Sequence, residues 1–360
     1  MKITEIKTFL LRPAPKKSRW NVAKHLLLVK VETDEAIVGW GEAFTLRDRE
    51  GSLVQNVASL TRYMIGRDPF NIKAFTQWAS NRFSEGRGSV ELFSAVSGIE
   101  QALWDIVGKR LKTPVYNLLG GPCRDRIKVY ANGWTSGAKT AGEMADRAVE
   151  VVRMGFNAIK FYPFQNDEPE KTIVGNVRAV REAVGPEIDI LIDVWRRPEP
   201  SLSIRVARRM EEFNVFWYEE PVPSENLDLL AEVRRSINLP VVTGECLYTK
   251  HDFREALERR AADILNPDVA SCGGILELKE IAAMAEPYYV QISPHNYNST
   301  AVGLAATLQV SAVIPNFVMT EYFINFQELG DAISVNPFRI EKGSIRLPSS
   351  PGLGIEINEA

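Results

Sequence analysis

Three short runs decide the fold: Ile188-Asp189-Ile190-Leu191-Ile192-Asp193, Phe216-Trp217-Tyr218-Glu219 and Val241-Val242-Thr243-Gly244-Glu245. Each is a brief stretch rich in β-branched or aromatic residues, the composition of a buried strand. Each ends in a carboxylate, and the three carboxylates are spaced 26 residues apart. Charge-studded segments of helical pattern, such as 202–213, separate the runs. One strand plus one crossover helix fills that pitch, and such crossovers join parallel neighbours.

The alternation extends in both directions. Strands are expected over 127–132, 158–162, 188–193, 216–219, 241–245, 264–268, 290–294 and 317–321. Eight units of about 25 residues can close into a barrel. An open doubly wound sheet is the other topology, but no Gly-x-Gly-x-x-Gly opens a helix after its first strand, so dinucleotide binding has no support. The first residues read differently: strands over 3–11, 25–32 and 37–42, then helical patterns over 52–65 and 93–111, which is an α+β unit. Gly120-Gly121-Pro122 breaks the chain after it. The expected divisions are residues 1–117, 118–321 and an irregular or β-like segment 322–360 returning to the first unit.

Composition narrows the function classes. The 360 residues are 45% hydrophobic and 25% charged, enough for a large core and incompatible with disorder. Basic and acidic residues number 43 and 46, so no basic excess exists to grip a nucleic acid backbone. Cys123, Cys246 and Cys272 show no Cys-x-x-Cys spacing and fit free thiols in a reducing, cytoplasmic setting. The N-terminus carries Glu5 and Lys7 where a signal peptide needs an apolar run. Residues 296–320 lack charge, but their Asn, Ser, Thr, Gln309 and Pro315 mark a buried helix followed by a strand, with no membrane span.

In a barrel, neighbouring strand ends meet on the catalytic face. Asp193, Glu219 and Glu245 would repel one another there unless a hard cation neutralised them, Mg²⁺ or alternatively Mn²⁺. The plainer reading is that each ends a strand and pairs with a loop. Glu220, before Pro221, is expected to face a neighbouring loop, because strand side chains alternate. Asp268 and His295 end the next two strands, where the carboxylate can fix the imidazole tautomer. Lys160 and Tyr162 share a face of the second strand. A lysine buried beside a divalent cation is expected to have a lowered pKa and to act as a base. Its structural alternative is an ion pair with Asp193 or Glu219. Glu321 closes the last strand and completes a polar ring.

The ordered set of motifs resembles the enolase superfamily, mandelate racemase subgroup. It comprises Val38-Gly39-Trp40-Gly41-Glu42, Ser97-Gly98-Ile99-Glu100-Gln101-Ala102-Leu103-Trp104-Asp105, Glu219-Glu220-Pro221, Gly244-Glu245, Asn266-Pro267-Asp268 with Gly273-Gly274, Pro294-His295, and Pro351-Gly352-Leu353-Gly354. The resemblance implies an α/β fold, a modified TIM barrel (β/α)₇β under an N-terminal α+β capping domain. It matches Asp193, Glu219 and Glu245 to Mg²⁺ ligands, Asp268 and His295 to a dyad, and Glu321 to a group that binds the substrate carboxylate or enediolate. Two positions depart from relatives: Tyr162 stands where racemases carry a second lysine, and Trp195 where several sugar-acid dehydratases carry a histidine.

The expectation is therefore a Mg²⁺-dependent lyase that takes the α-proton of an acid sugar and eliminates the β-hydroxyl. Alternatives are a cycloisomerase opening an anhydro or lactone sugar acid, a racemase or epimerase, and a non-catalytic acid-sugar-binding barrel. Expected partners are a small acid sugar and further copies of the chain, with neither nucleic acid nor membrane. Loops 12–24 and 43–51 are expected to cover the barrel mouth, with Trp20 and His25 contacting substrate together with Trp195.

Overall fold

A computed structural model describes residues 1–12, 24–164, 168–196 and 198–359. The first unit is an antiparallel meander of β1 (Ile3–Leu11), β2 (Leu26–Thr33) and β3 (Val38–Ala43). Helices α1 (Glu50–Met64), α2 (Ile72–Trp78) and α3 (Val90–Arg110) pack on it. Ser89 starts α3 by accepting the Leu92 N–H. Two glycines set the closeness of β3 to α3. A Cβ on Gly39 would lie 2.0 Å from the Ala102 carbonyl oxygen, and one on Gly41 would lie 1.9 Å from that of Gly98. Strand and helix backbones therefore touch, and Ile3, Val29, Leu53, Leu60, Ile99 and Leu103 fill the core around them.

A short turn of helix, α4 (Val115–Leu118), leads into eight parallel strands. These are β4 (Arg126–Asn132), β5 (Ala158–Phe161), β6 (Asp189–Asp193), β7 (Val215–Glu219), β8 (Val241–Thr243), β9 (Ile264–Leu265), β10 (Gln291–Ile292) and β11 (Thr320–Phe323). They pair in sequence order, and β11 returns to pair with β4. Between β10 and β11 the join is a single parallel bridge, Ile292 to Phe317, flanked by bonds from Ile292 N to Asn316 O and Val318 N to Ile292 O. The ring takes up all eight expected strands.

Seven helices run between the strands: α5 (Ala141–Arg153), α6 (Glu170–Val184), α7 (Pro200–Met210), α8 (Leu227–Ser236), α9 (Thr249–Glu258), α10 (Ile275–Ala285) and α11 (Val302–Val313). The result is the (β/α)₇β order. The chargeless run resolves into α11, every residue of which is buried, and β11. Among the described residues no helix is long and apolar enough to cross a membrane. Inside the ring, Tyr130, Leu191, Trp217, Val242 and Met319 form an apolar plug, with Tyr130 edge-on to Trp217. The plug excludes water beneath the strand ends.

The C-terminal segment is part helix and part strand. It contains a helix, α12 (Gln327–Ile333), and a hairpin of β12 (Ile340–Glu341) and β13 (Ser344–Arg346) that pairs antiparallel with β4 of the barrel. Its last stretch returns to the first unit: Gly352 O accepts Val115 N, Leu353 N donates to Asp105, and Glu359 pairs with Lys30.

The first unit grips the barrel through buried carboxylates. Helix α10 has no capping side chain of its own. Glu100 of α3 supplies one, accepting Ile275 N at 2.8 Å and Leu276 N at 2.9 Å, besides the Trp104 indole. Burial pushes the Glu100 carboxyl up to about 7, against the pull of those three donors.

Two expectations follow. Gly41→Ala must part β3 from α3 and should cost about 3 kcal/mol in a denaturant melt, the upper part of the overpacking range; an unchanged midpoint would show that this contact is slack. Because the folded pKa of Glu100 lies above its unfolded value near 4.5, its protonated form contributes fully below about 4.5, and that contribution is lost as pH rises through about 7. The Tm of Glu100→Gln minus that of the parent should therefore increase across this window and level off above it. A pH-independent difference would remove Glu100 from the linkage.

Candidate active site

Asp193 and Glu219 end adjacent strands and are direct partners in the β6–β7 ladder. Lys160 and Glu321 also lie within their ladders, whereas Glu245, Asp268 and His295 lie just past theirs. Glu245 follows Gly244, which turns the chain at φ +142°, and Asp268 and His295 form an isolated parallel bridge beyond β9 and β10. One carboxylate oxygen from each of Asp193, Glu219 and Glu245 lies within 4.8 Å of the others. Glu219 Oε2 is buried without a hydrogen-bond partner, so it is desolvated and available. An all-oxygen donor set with an unspent buried oxygen fits a hard divalent cation.

Lys160 approaches from β5. Its ammonium is 2.7 Å from Glu219, 3.2 Å from Glu321 and 3.3 Å from Asp193, fully buried. The expected ion pair is present. The expected lowering of its pKa is corrected: burial does press it down, but Glu219, Glu321 and the other negative neighbours outweigh burial and hold it well above the ordinary lysine range. Asp193 is pushed up to about 6, by burial first and then by Glu245 and Glu321, with Lys160 opposing. Burial and the surrounding carboxylates push Glu219 well above its usual range too. Negative charge is in excess here.

His295 approaches from the other flank. Its Nδ1 is 2.7 Å from Asp268, and its Nε2 is 3.2 Å from Glu245 and 3.4 Å from Glu321. Burial opposes its charge, but Glu321 and the hydrogen bond to Asp268 raise it to about 9. Glu321 thus stands between the two cations, Oε1 toward Lys160 and Oε2 toward His295. Although buried, it is held at about 2 by Lys160, His295 and the donors Asn296 N and Asn132 Nδ2.

Tyr162 lies beside this group, its phenol accepting from Asn132 at 3.1 Å. Burial and Asp193 push its pKa well above the ordinary range. It is thus a neutral donor and not a phenolate. Trp195, at φ +49°, donates its N–H to Asp193, leaves about half its surface exposed and turns an edge toward Tyr162. Arg196 follows at φ +59°, 3.3 Å from Glu245 and bonded to Cys246. Glu220 faces the β8 loop as expected, accepting Thr243 Oγ1 and Gly244 N.

Other site expectations fare differently. Trp20 lies outside the described residues. His25 is engaged within the first unit, Nδ1 with Glu50 and Nε2 with Arg12. Of the first covering loop, residues 13–23 lie outside the described residues; the second, 43–51, reaches the mouth: Phe44 N donates to Ala270 O, and the Phe44 ring is 6.3 Å from the His295 ring. Four asparagines escaped the sequence reading as site residues. The side chains of Asn132 and Asn266 donate to Glu321 and Glu219, the backbone N–H of Asn296 donates to Glu321, and the Asn298 side chain donates to Asp268 at 2.8 Å. Asn132 and Asn266 were within reach of the strand-end rule, had it been applied to amides as well as carboxylates.

Residues 143–360 match the family described as enolase C-terminal domain-like, and residues 7–120 match the mandelate racemase/muconate lactonizing enzyme N-terminal domain. The chain belongs to the mandelate racemase/muconate lactonizing enzyme family. It is an enzyme of the enolase superfamily, and relatives that match over nearly the whole of this chain are named dehydratases. It is 35% identical to the D-gluconate dehydratase of Thermoproteus tenax, over 99% of this chain and 72% of that one. It is 36% identical to the D-galactonate dehydratase of Variovorax paradoxus strain S110, over 100% and 93%. Among solved structures, an enolase from Sargasso Sea environmental sequence superposes with TM-score 0.94 at 31% identity, covering 99% and 95%. A mandelate racemase/muconate lactonizing enzyme from Sulfitobacter sp. gives 0.90 at 32%, covering 100% and 94%.

The donor set has a direct test. Calorimetric titration should show Mg²⁺ binding that Glu245→Gln weakens by at least about 10-fold, the lower bound set by losing even an outer partner of a metal site. Equal affinity in parent and variant would disqualify Glu245 as a ligand.

Proposed function

We propose that the enzyme dehydrates an acid sugar, removing the proton α to its carboxylate and expelling the β-hydroxyl as water to leave a 2-keto-3-deoxy acid. The observation that carries this reading is the placement of two proton-transfer groups, Lys160 and the His295–Asp268 dyad, on opposite flanks of one carboxylate cluster. The names of the dehydratase relatives support the same chemistry.

In this reading Asp193, Glu219 and Glu245 hold Mg²⁺. When bound, the cation stabilises the second negative charge that builds on the substrate carboxylate as the α-proton leaves. The chain's own residues move the protons. Lys160 Nζ takes the α-proton. It is ion-paired to two of the ligand carboxylates, so neutralising them weakens the pull that keeps it protonated. His295 gives its Nε2 proton to the departing hydroxyl, while Asp268 on Nδ1 steadies the imidazolium and fixes the tautomer. Tyr162, a neutral phenol, donates a hydrogen bond. Glu321, held ionised between the two cations, orients both.

The absence of an acid at Trp195 strengthens the assignment of His295, because no second imidazole stands among the ring of strand-end groups. A ring ether could leave in place of water with the same residues, so the substrate screen includes anhydro acids and lactones with the aldonic and aldaric acids. With Mg²⁺ and a turned-over acid in deuterated water, His295→Asn should lose about 10²- to 10⁴-fold in keto-acid formation, the usual worth of general acid catalysis. It should still exchange the α-proton, read by NMR. Loss of exchange as well would transfer the base role to His295, and undiminished product would refute both assignments.

A further inference from the structure

The loop that joins His295 to α11 is held from the first unit by two opposite charges. Helix α11 has no capping side chain of its own. Glu42, at the end of the β3 motif, accepts Ser299 N and Gly303 N at 2.7 Å each, and the Ser299 hydroxyl. From the other side Lys24 donates to Tyr297 O. Lys24 is only 8% exposed, and its ammonium sits 3.7 Å from the centre of the Tyr297 ring and 4.7 Å from that of Phe44. Among the described residues no carboxylate comes within 4.0 Å of it. Burial brings its pKa down to about 7, with Glu42, Asp268 and Glu321 opposing.

A charge buried without a close counter-ion costs several kcal/mol, and an apolar side chain of like size would avoid that cost. Here the charge grips one carbonyl. What that carbonyl's loop does is specific. Asn298 Nδ2 holds both oxygens of Asp268, at 2.8 and 3.1 Å. Asn296 N holds Glu321 at 3.0 Å. These are two of the three carboxylates that face His295. The loop between the two grips is thus the support of the dyad, and the grips come from a different part of the fold.

We propose that Lys24 and Glu42 are positioning residues that clamp loop 296–300 from the capping unit and thereby set His295, Asp268 and Glu321 in register. Neither is assigned a contact with substrate. The proposal rests on the reading above for its kinetic arm only.

Two measurements test it. The first is amide hydrogen exchange of the Mg²⁺-loaded enzyme without substrate, followed by mass spectrometry. Lys24→Met should speed exchange over 296–303 while leaving β6 and β7 unchanged. Glu42→Gln, which keeps the shape but cannot accept at both oxygens, should do the same and serves where Lys24→Met fails to fold. The second is a kinetic cycle. Lys24→Met and Asn298→Ala should each lower kcat by about 10- to 100-fold, the scale of a small misplacement of catalytic groups, with KM within about threefold. Because both act through one loop, the double variant should be no slower than the slower single variant by more than about threefold. Multiplying effects would mean that Lys24 acts apart from Asn298, and parent-like exchange over 296–303 would overturn the clamp whatever the kinetics. If the parent turns over no acid sugar, the dehydratase reading fails, and the exchange measurement still decides the clamp.

Discussion

The site depends on one constraint: five carboxylates, Asp193, Glu219, Glu245, Asp268 and Glu321, converge above an apolar plug where water cannot screen them. In such surroundings like charges repel far more strongly than in water. Lys160 and His295 answer part of the excess, and the raised positions of Asp193 and Glu219 show that part of it remains. The remainder gathers on the three residues whose oxygens face one another, which is what makes a divalent cation the natural complement. Glu321 shows the opposite outcome. Equally buried, it stays ionised because two cations and two N–H donors surround it.

The sequence made the carboxylates legible because a parallel barrel turns chain position into spatial position. Strand composition located the eight units, and the 26-residue spacing put the three acids on one rim. The ladders, however, are shorter than the apolar runs. β8 stops at Thr243, so Glu245 is presented by a turn through Gly244 and not by strand alternation. A Cβ at Gly244 would meet Phe253 and Asn266 at about 3 Å, so the tight turn is bought with the absence of a side chain. Phase along a strand therefore accounts for how Asp193 and Glu219 enter the carboxylate cluster, whereas Glu245 joins it from a different backbone.

What stayed illegible were contacts with no periodic signature. Asn296 and Asn298 are ordinary loop amides until the ring closes and sets them against Glu321 and Asp268. Lys24 reads as one more lysine beside a basic loop, and only the approach of Tyr297, Phe44 and Phe326 makes its burial visible. The helix α12 and the hairpin on β4 were missed for a related reason: their elements are two to seven residues long, too short for periodicity to register. The tally of motifs pointed to a capping unit but gave no account of why Glu42 and Glu100 belong to them.

The structure supplies that account. Barrel helices α10 and α11 both begin without a capping side chain, and each follows a loop that carries one member of the hydrogen-bonded pair, Asp268 before one and His295 before the other. Four N–H groups at each start would be left unsatisfied on burial. From the opposite unit Glu100 satisfies two of them at α10, and Glu42 satisfies Gly303 N at α11 besides Ser299 N just before it. A carboxylate at a helix N-terminus is also favoured by the helix dipole, which offsets part of the cost of burying it. The capping unit is thus not an independent cover laid over a finished barrel. It satisfies N–H groups at the starts of the two helices that follow Asp268 and His295, so part of the barrel's own hydrogen bonding comes from the capping unit. The glycines of the same motif follow from this: Gly39 and Gly41 bring β3 against α3, and that contact fixes the distance between Glu42 on the strand and Glu100 on the helix, hence the spacing at which both can reach the barrel.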